Sequence, residues 1–450
     1  MKMKSALIAI IAGALVLGAC NQAPAVRTDT ATPISPPDSS EATEPSGSGL
    51  IVIDYPTFQT GVNTAAPVVD YLVGAFNQQY DGVFHINKIS VPGDQNYFDL
   101  IRTQIAARDL PPVIYGGGNN LLDLVYPVGM ALDLTDIIHA DPEWLARFDE
   151  AAWTVNARDG RIYASSNEAA QIGYFYNKAL FAQAGIDSPA QTWEQFWSML
   201  DTLKAAGITP LSMDTGDNAW VTMLWFGAMV GTASDDGLAF MNTMQPTDYN
   251  TPEMIDAAAN IQRMLQNYTT ADAIGGRYEN AANNFLSGHT AMIANGPWMI
   301  GDFDNLSVTT EGFADHVGVA AFPGGFIYDQ TIQGMIVTVQ NDSALEAAAI
   351  EMVRFFTSDE AQVNALEMQG MLPASPTAPI TDAAKERFRL LAEFLEVSQP
   401  AQNRGMHFSD TMYANIHDVL ARELPRLAFN EITPAQFTQM LSDEAALNIQ

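Results

Sequence analysis

Cysteine is nearly absent: Cys20 is the only one in 450 residues. An intramolecular disulfide is therefore excluded, and the fold must rest on core size alone. Basic residues are also scarce, with 20 Lys and Arg against 52 Asp and Glu, a formal charge of −32. Such a surface repels phosphate backbones, which argues against nucleic-acid binding. The acidic residues form no long run, as a solvated, soluble surface would have them. The six histidines (His85, His139, His289, His316, His407 and His417) lack metal-ligand spacing and have no cysteine to help, so no metal and no cofactor is expected. No G-x-S-x-G elbow, H-E-x-x-H pair or Walker-type loop occurs, and no enzyme is expected. A glycosidase needs two carboxylates, but spacing alone does not single out a pair.

What is present begins at the N-terminus. Lys2 and Lys4 precede an apolar run over residues 6–19, too short for a bilayer-spanning helix of about 20 residues. The expectation is a signal peptide over 1–19. Its end, Leu17-Gly18-Ala19-Cys20, resembles the lipobox of bacterial lipoproteins, which implies lipid attached to Cys20. Residues 20–49 are rich in Pro, Ser, Thr and Ala without apolar periodicity, and read as a tether.

From Leu50 the texture changes. The run 50–53, the alternating segment 83–89 and the run 111–115 read as strands. Between them lie helical patterns carrying Val68, Val69, Leu72 and Phe76, then Phe98, Ile101 and Ile105. This alternation predicts an α/β layer with a mainly parallel sheet. Thr192 and Gln195 predict a capping box, with Gly207 past the helix end. Ser343 to Phe356 and a segment from Ser358 to Gly370 predict two further helices.

Ligand candidates sit in loops. Gly116-Gly117-Gly118-Asn119-Asn120 follows a strand, where α/β sheets place ligands, and also reads as a plain turn. Trp220, Trp298 and Tyr328 lie in Gly-, Asn- or Asp-rich surroundings. A flat aromatic beside Asp, Asn or Arg matches a sugar's C–H face and hydroxyl belt. Core packing is the competing reading for each aromatic taken singly. Trp193 and Trp197, on a helix, read as core.

The residues 285–298, Phe-Leu-Ser-Gly-His-Thr-Ala-Met-Ile-Ala-Asn-Gly-Pro-Trp, look like the F-x-x-G-x-x-A-M-x-x-N-G-P-W segment of extracellular solute-binding proteins of ABC importers. Tyr176-Asn177-Lys178, Ala184-Gly185-Ile186 and Thr192-Trp193 are similar to the same branch, which includes maltose-binding protein. The resemblance implies a two-lobe α/β fold, each lobe discontinuous, closing on a ligand at a hinge. It places lobe 1 at 50–166 plus 325–370 and lobe 2 at 167–324 plus 371–450, with Gly318 to Gly324 as an interlobe strand. Trp298 matches a sugar-stacking Trp, Trp220 another aromatic, and Asn119 a polar ligand. Asn120, Asn167, Glu168, Asp214, Asp302, Tyr328 and Arg404 complete the candidate set. Departures exist: Gly116 replaces a strand-end aromatic, and the region of Met412 replaces a late stacking Trp. The implied function is capture of a carbohydrate and its delivery to an ABC permease by a lipid-anchored monomer at the outer face of the membrane or in the periplasm. A non-sugar solute, such as a polyol phosphate or peptide, and an extracellular glycosidase are the alternatives.

Overall fold

The computed structural model describes residues 49–61, 63–117 and 121–448. Cys20, the signal segment and the tether lie outside these residues, as do Asn119 and Asn120. Among the described residues no helix is long and apolar enough to cross a membrane.

The first lobe opens with β1 (Ile51–Thr57) and β2 (Phe84–Ser90), which pair in parallel. The helix Ala66–Gln79 joins them and buries Val68, Val69, Leu72 and Phe76, the face its periodicity assigns. β3 (Val113–Tyr115) follows, then a small antiparallel hairpin of β4 (Ala157–Arg158) and β5 (Arg161–Ile162), and β6 (Ala164–Ser165).

The chain then crosses to a second core on β7 (Ala169–Asn177). β8 (Thr209–Leu211), β9 (Thr290–Asn295), β10 (Val317–Ala320) and β11 (Phe326–Thr331) join it. β12 (Met335–Val337) returns to lobe one between β3 and β6, and β13 (Asn403–Gly405) later edges the second sheet beside β11. The helices Ser343–Phe356 and Asp359–Gln369 complete the first lobe; Asp342 and Ser358 cap them.

Four expectations change here. The sheets are mixed, because β7 leaves the first lobe and β11 heads back, so the two must run antiparallel. β12 opposes β6 for the same reason. The return to lobe one begins after Thr331, not at 325: Phe326, Ile327 and Tyr328 pack in the second core. The segment Gly318 to Gly324 is not an interlobe strand, since β10 pairs with β7 inside the second lobe. The Thr192 box is also offset. Thr192 accepts from the Gln195 N–H, but the Gln195 side chain accepts from Gln191 N–H at 2.9 Å.

The helix Trp220–Ala233 is buried on all sides from Val221 to Gly231, as the central element of a large core must be. Gly227 lets β11 lie against it: a Cβ there would stand 2.4 Å from the Tyr328 hydroxyl. At the crossing, Gly334 is pressed against the other connecting segment, and a Cβ would meet the Ser165 carbonyl oxygen at 1.9 Å. Gly334→Ala should therefore destabilise the chain by about 1–3 kcal/mol or more through overpacking. Urea unfolding measures this, and an unchanged midpoint would show that the crossing segments have room to separate.

Candidate functional site

Two tryptophans meet at the junction of the lobes. Trp220 is the first residue of its helix, and Trp298 stands in the 3-10 turn Pro297–Asp304 after β9. Both are half-buried, with ring centroids 5.6 Å apart and planes tilted by 59°. Asn295, fully buried at the end of β9, fixes the first ring. Its Oδ1 accepts from Trp220 Nε1–H at 3.3 Å and its Nδ2 donates to the Tyr278 hydroxyl at 2.9 Å. From the first lobe, the Thr64 hydroxyl donates to the Trp298 carbonyl at 3.2 Å, so the aromatic pair sits where the lobes touch.

On its other side Trp220 carries His407, at 4.4 Å between ring centroids. His407 is buried, and Ser409 N–H donates to its Nδ1 at 3.0 Å. Nδ1 is thus the acceptor, and Nε2 carries the proton of the neutral ring. Burial, aided by His417, pushes the His407 imidazole down to about 3. Gln330 on β11 ties this segment down. Its carbonyl accepts the His407 backbone N–H and its amide donates to Asp410. Asp410 is fully buried, and burial lifts its carboxyl to about 7.

The remaining candidates separate into groups. Asp302 shares the Trp298 turn, is half-buried, and is lifted to about 6 by burial. Asp214 is fully buried: its Oδ1 accepts from Thr222 N–H at 3.1 Å, so it anchors the start of the Trp220 helix rather than facing a ligand. Burial lifts it to about 7. Asn167 and Glu168 lie at the first crossing. They line a first-lobe cavity of about 20 Å³ with Tyr55, Gln59 and Gln369. That space fits a water, not a sugar ring. Glu168 is raised to about 7 by burial there.

Tyr328 corrects the sequence expectation outright. It is fully buried in the second core, and its hydroxyl donates to Leu224 O at 2.7 Å. Arg404 on β13 is ion-paired to Asp329 and donates to Ser398 O at 2.6 Å, which occupies the cation expected for a ligand. Gly116 and Gly117 donate to Gly334 O at 2.9 Å and Gln333 O at 3.1 Å, which puts the end of β3 beside the crossing. Sequence reasoning missed His407, Gln330 and Asn295 as neighbours of the aromatics. Only Asn295 left a signal, inside the N-G-P-W segment.

Residues 61–363 match the family of bacterial extracellular solute-binding proteins, and the chain belongs to that family. A probable sugar-binding periplasmic protein of Rhizobium meliloti is 24% identical over 79% of this chain and 82% of its own. Among solved structures, a chitin oligosaccharide binding protein superposes with a TM-score of 0.74 at 21% identity, covering 88% of this chain and 98% of that one. A Streptococcus pneumoniae solute-binding protein, solved with the blood group A-trisaccharide, gives 0.74 at 19% identity over 87% and 98%. The two-lobe fold is thereby that of solute-binding proteins.

The buried carboxyl gives a test. Asp410 keeps its proton in the folded chain up to about pH 7, while an unfolded Asp loses it near about pH 4. The folded state then binds more protons between these values, so this group's contribution to stability falls as pH rises through that window. Asp410→Asn retains an acceptor for Gln330 and has no proton to lose. Its urea midpoint relative to the parent should rise between about pH 4.5 and 7.5. A difference independent of pH would mean that Asp410 is ionised throughout.

Proposed function

We propose that this solute-binding protein captures a neutral carbohydrate between its lobes and hands it to an ABC permease, while lipid on Cys20 keeps it at the outer face of the membrane. The observation that carries the ligand class is the half-buried Trp220–Trp298 pair at the lobe contact. Two tilted indoles offer apolar faces to the C–H side of a sugar ring. The relatives and structural neighbours with carbohydrate names support the same class. A phosphorylated ligand would want a free cation, and Arg404 is engaged by Asp329. Glycoside hydrolysis fits poorly: Asp214 and Asp410 are fully buried, and Glu168 lines a cavity too small for a sugar. Ligand contacts from both lobes would favour the closed arrangement, and no bond need be made or broken.

The tryptophans supply the assay. Sugars from a panel of mono- and oligosaccharides should change the intrinsic fluorescence and raise the melting temperature. A ligand at 100 times its Kd adds about 2.7 kcal/mol. Trp220→Ala or Trp298→Ala should weaken binding about tenfold or more, given stacking of about 0.5–1.5 kcal/mol plus lost apolar burial. Binding of an anionic solute alone, or turnover of a chromogenic glycoside, would overturn the reading.

The anchor is tested apart from the site. Cys20→Ser should move the protein from the membrane to the soluble fraction with ligand affinity unchanged, because a tether and a closed cleft share no residues. Retention on the membrane by the variant would assign the anchoring elsewhere.

A further inference from the structure

Glu168 stands on the segment that leads from the first lobe to the second, just ahead of β7. It is 8% exposed, and its backbone carbonyl accepts the Ile332 N–H of the returning segment at 3.1 Å. It lines the first-lobe cavity of about 20 Å³. Among the described residues its carboxyl meets no hydrogen-bond donor and no cation, and burial alone shifts its titration.

The rest of the lining brings no positive charge. It contains no Lys, Arg or His, and no second Asp or Glu. Its polar members are Tyr55 on β1, Gln59, Asn167 and Gln369, and apolar side chains of the helices Ala66–Gln79 and Ser343–Phe356 close it. Tyr55 is fully buried, and its hydroxyl is pushed up chiefly by burial and in part by the nearby Glu168 charge. Gln369 has its amide nitrogen committed: Nε2 donates to the Thr64 hydroxyl at 3.3 Å, which leaves Oε1 as the end with an unused acceptor. Asn167 Oδ1, next to Glu168 in the chain, is also buried without a partner. Oxygen acceptors are in excess here and donors are short.

An ionised carboxylate buried away from any cation is costly, so the protein gains by supplying one. The cavity has the size for it. One water needs about 10–15 Å³ of such space, and a single ion of similar size fits where one water does. Carboxylate and amide oxygens are the donors that hard cations take. One carboxylate balances one unit of charge. Among the described residues no three His, Cys, Asp or Glu gather to hold a metal ion, so the donor set here suits a monovalent ion rather than a divalent one.

We propose that this cavity at the crossing binds one monovalent cation, sodium or potassium, on the Glu168 carboxylate, with the Gln369 amide oxygen as a second ligand. The ion then steadies the lobe contact as well as the carboxylate. Gln369 holds Thr64, and the Thr64 hydroxyl donates to the Trp298 carbonyl at 3.2 Å. The site is independent of the carbohydrate reading, since it requires no ligand between the lobes.

The test is thermal unfolding of the full chain in detergent, followed by tryptophan fluorescence, in NaCl, KCl or choline chloride. Equal ionic strength cancels the general screening of a chain with formal charge −32, and choline is too large for the cavity. At about pH 8, where the carboxyl is ionised, sodium or potassium should raise the melting temperature by about 1–3 °C over choline, the gain expected at about ten times Kd. Glu168→Gln should abolish the difference between the salts. Gln369→Met removes an oxygen and no charge; it should shrink the difference, and it keeps the test valid if Glu168→Gln fails to fold. Equal melting in all three salts overturns the site and leaves the cavity to a water. A difference that survives in both variants places the ion elsewhere and overturns it too. A larger gain in calcium chloride at the same ionic strength overturns the monovalent charge. None of these outcomes touches the carbohydrate reading.

Discussion

Two connecting segments pressed together at Ser165 and Gly334 decide the rest of the molecule. One leads from β6 to β7, the other from β11 to β12, and they run in opposite directions. Their direction forces antiparallel pairing in both lobes. A third link runs beside them past Gly370, where Ala169 N–H donates to the Leu372 carbonyl at 2.8 Å, so the lobes are joined at adjacent segments. The candidate site clusters there as well. Gly116 and Gly117 bond to the crossing backbone, Glu168 and Asn167 flank it, and Gln330 sits just ahead of it. A ligand gripped by both lobes acts on this contact through short lever arms.

Burial, more than charge pairing, sets the electrostatics of the interior. Asp214, Asp410 and Glu168 are lifted toward neutrality and His407 and His417 are lowered toward it, in each case chiefly by loss of water. The chain's formal charge is −32, yet the carboxyls buried near the junction are held well above the usual carboxylate range. Cations near the junction are matched by carboxylates, as at Arg404 with Asp329 and Arg277 with Asp217. Such a junction favours ligands held by stacking and hydroxyl bonding over ligands held by charge.

Local signals in the sequence were legible where local physics governs. Asp342 and Ser358 cap their helices, and the apolar stripe of Val68, Val69, Leu72 and Phe76 turns inward. Where a residue's fate depended on a distant partner, the reading failed. Tyr328 sits among turn-forming residues and was a ligand candidate beside the core reading, but Gly227 opens a slot for it inside the core. Arg404 looked free until β13 brought it beside Asp329 on β11. Asp214 looked like a ligand because nothing in its loop shows that Thr222 will claim it. His407 carried no signal, since its meeting with Trp220 joins segments far apart in the chain.

The sequence by itself determined the first three strands, several helices and the family, because caps, periodicity and ordered motifs are written in neighbouring residues. It also marked Trp220 and Trp298 as the aromatics to watch. Only the tertiary structure decided that these two rings meet and that His407 stands against Trp220. The physical reason is that each of these facts requires contact between segments far apart in the chain, and no local pattern encodes which side chains the fold will bring together.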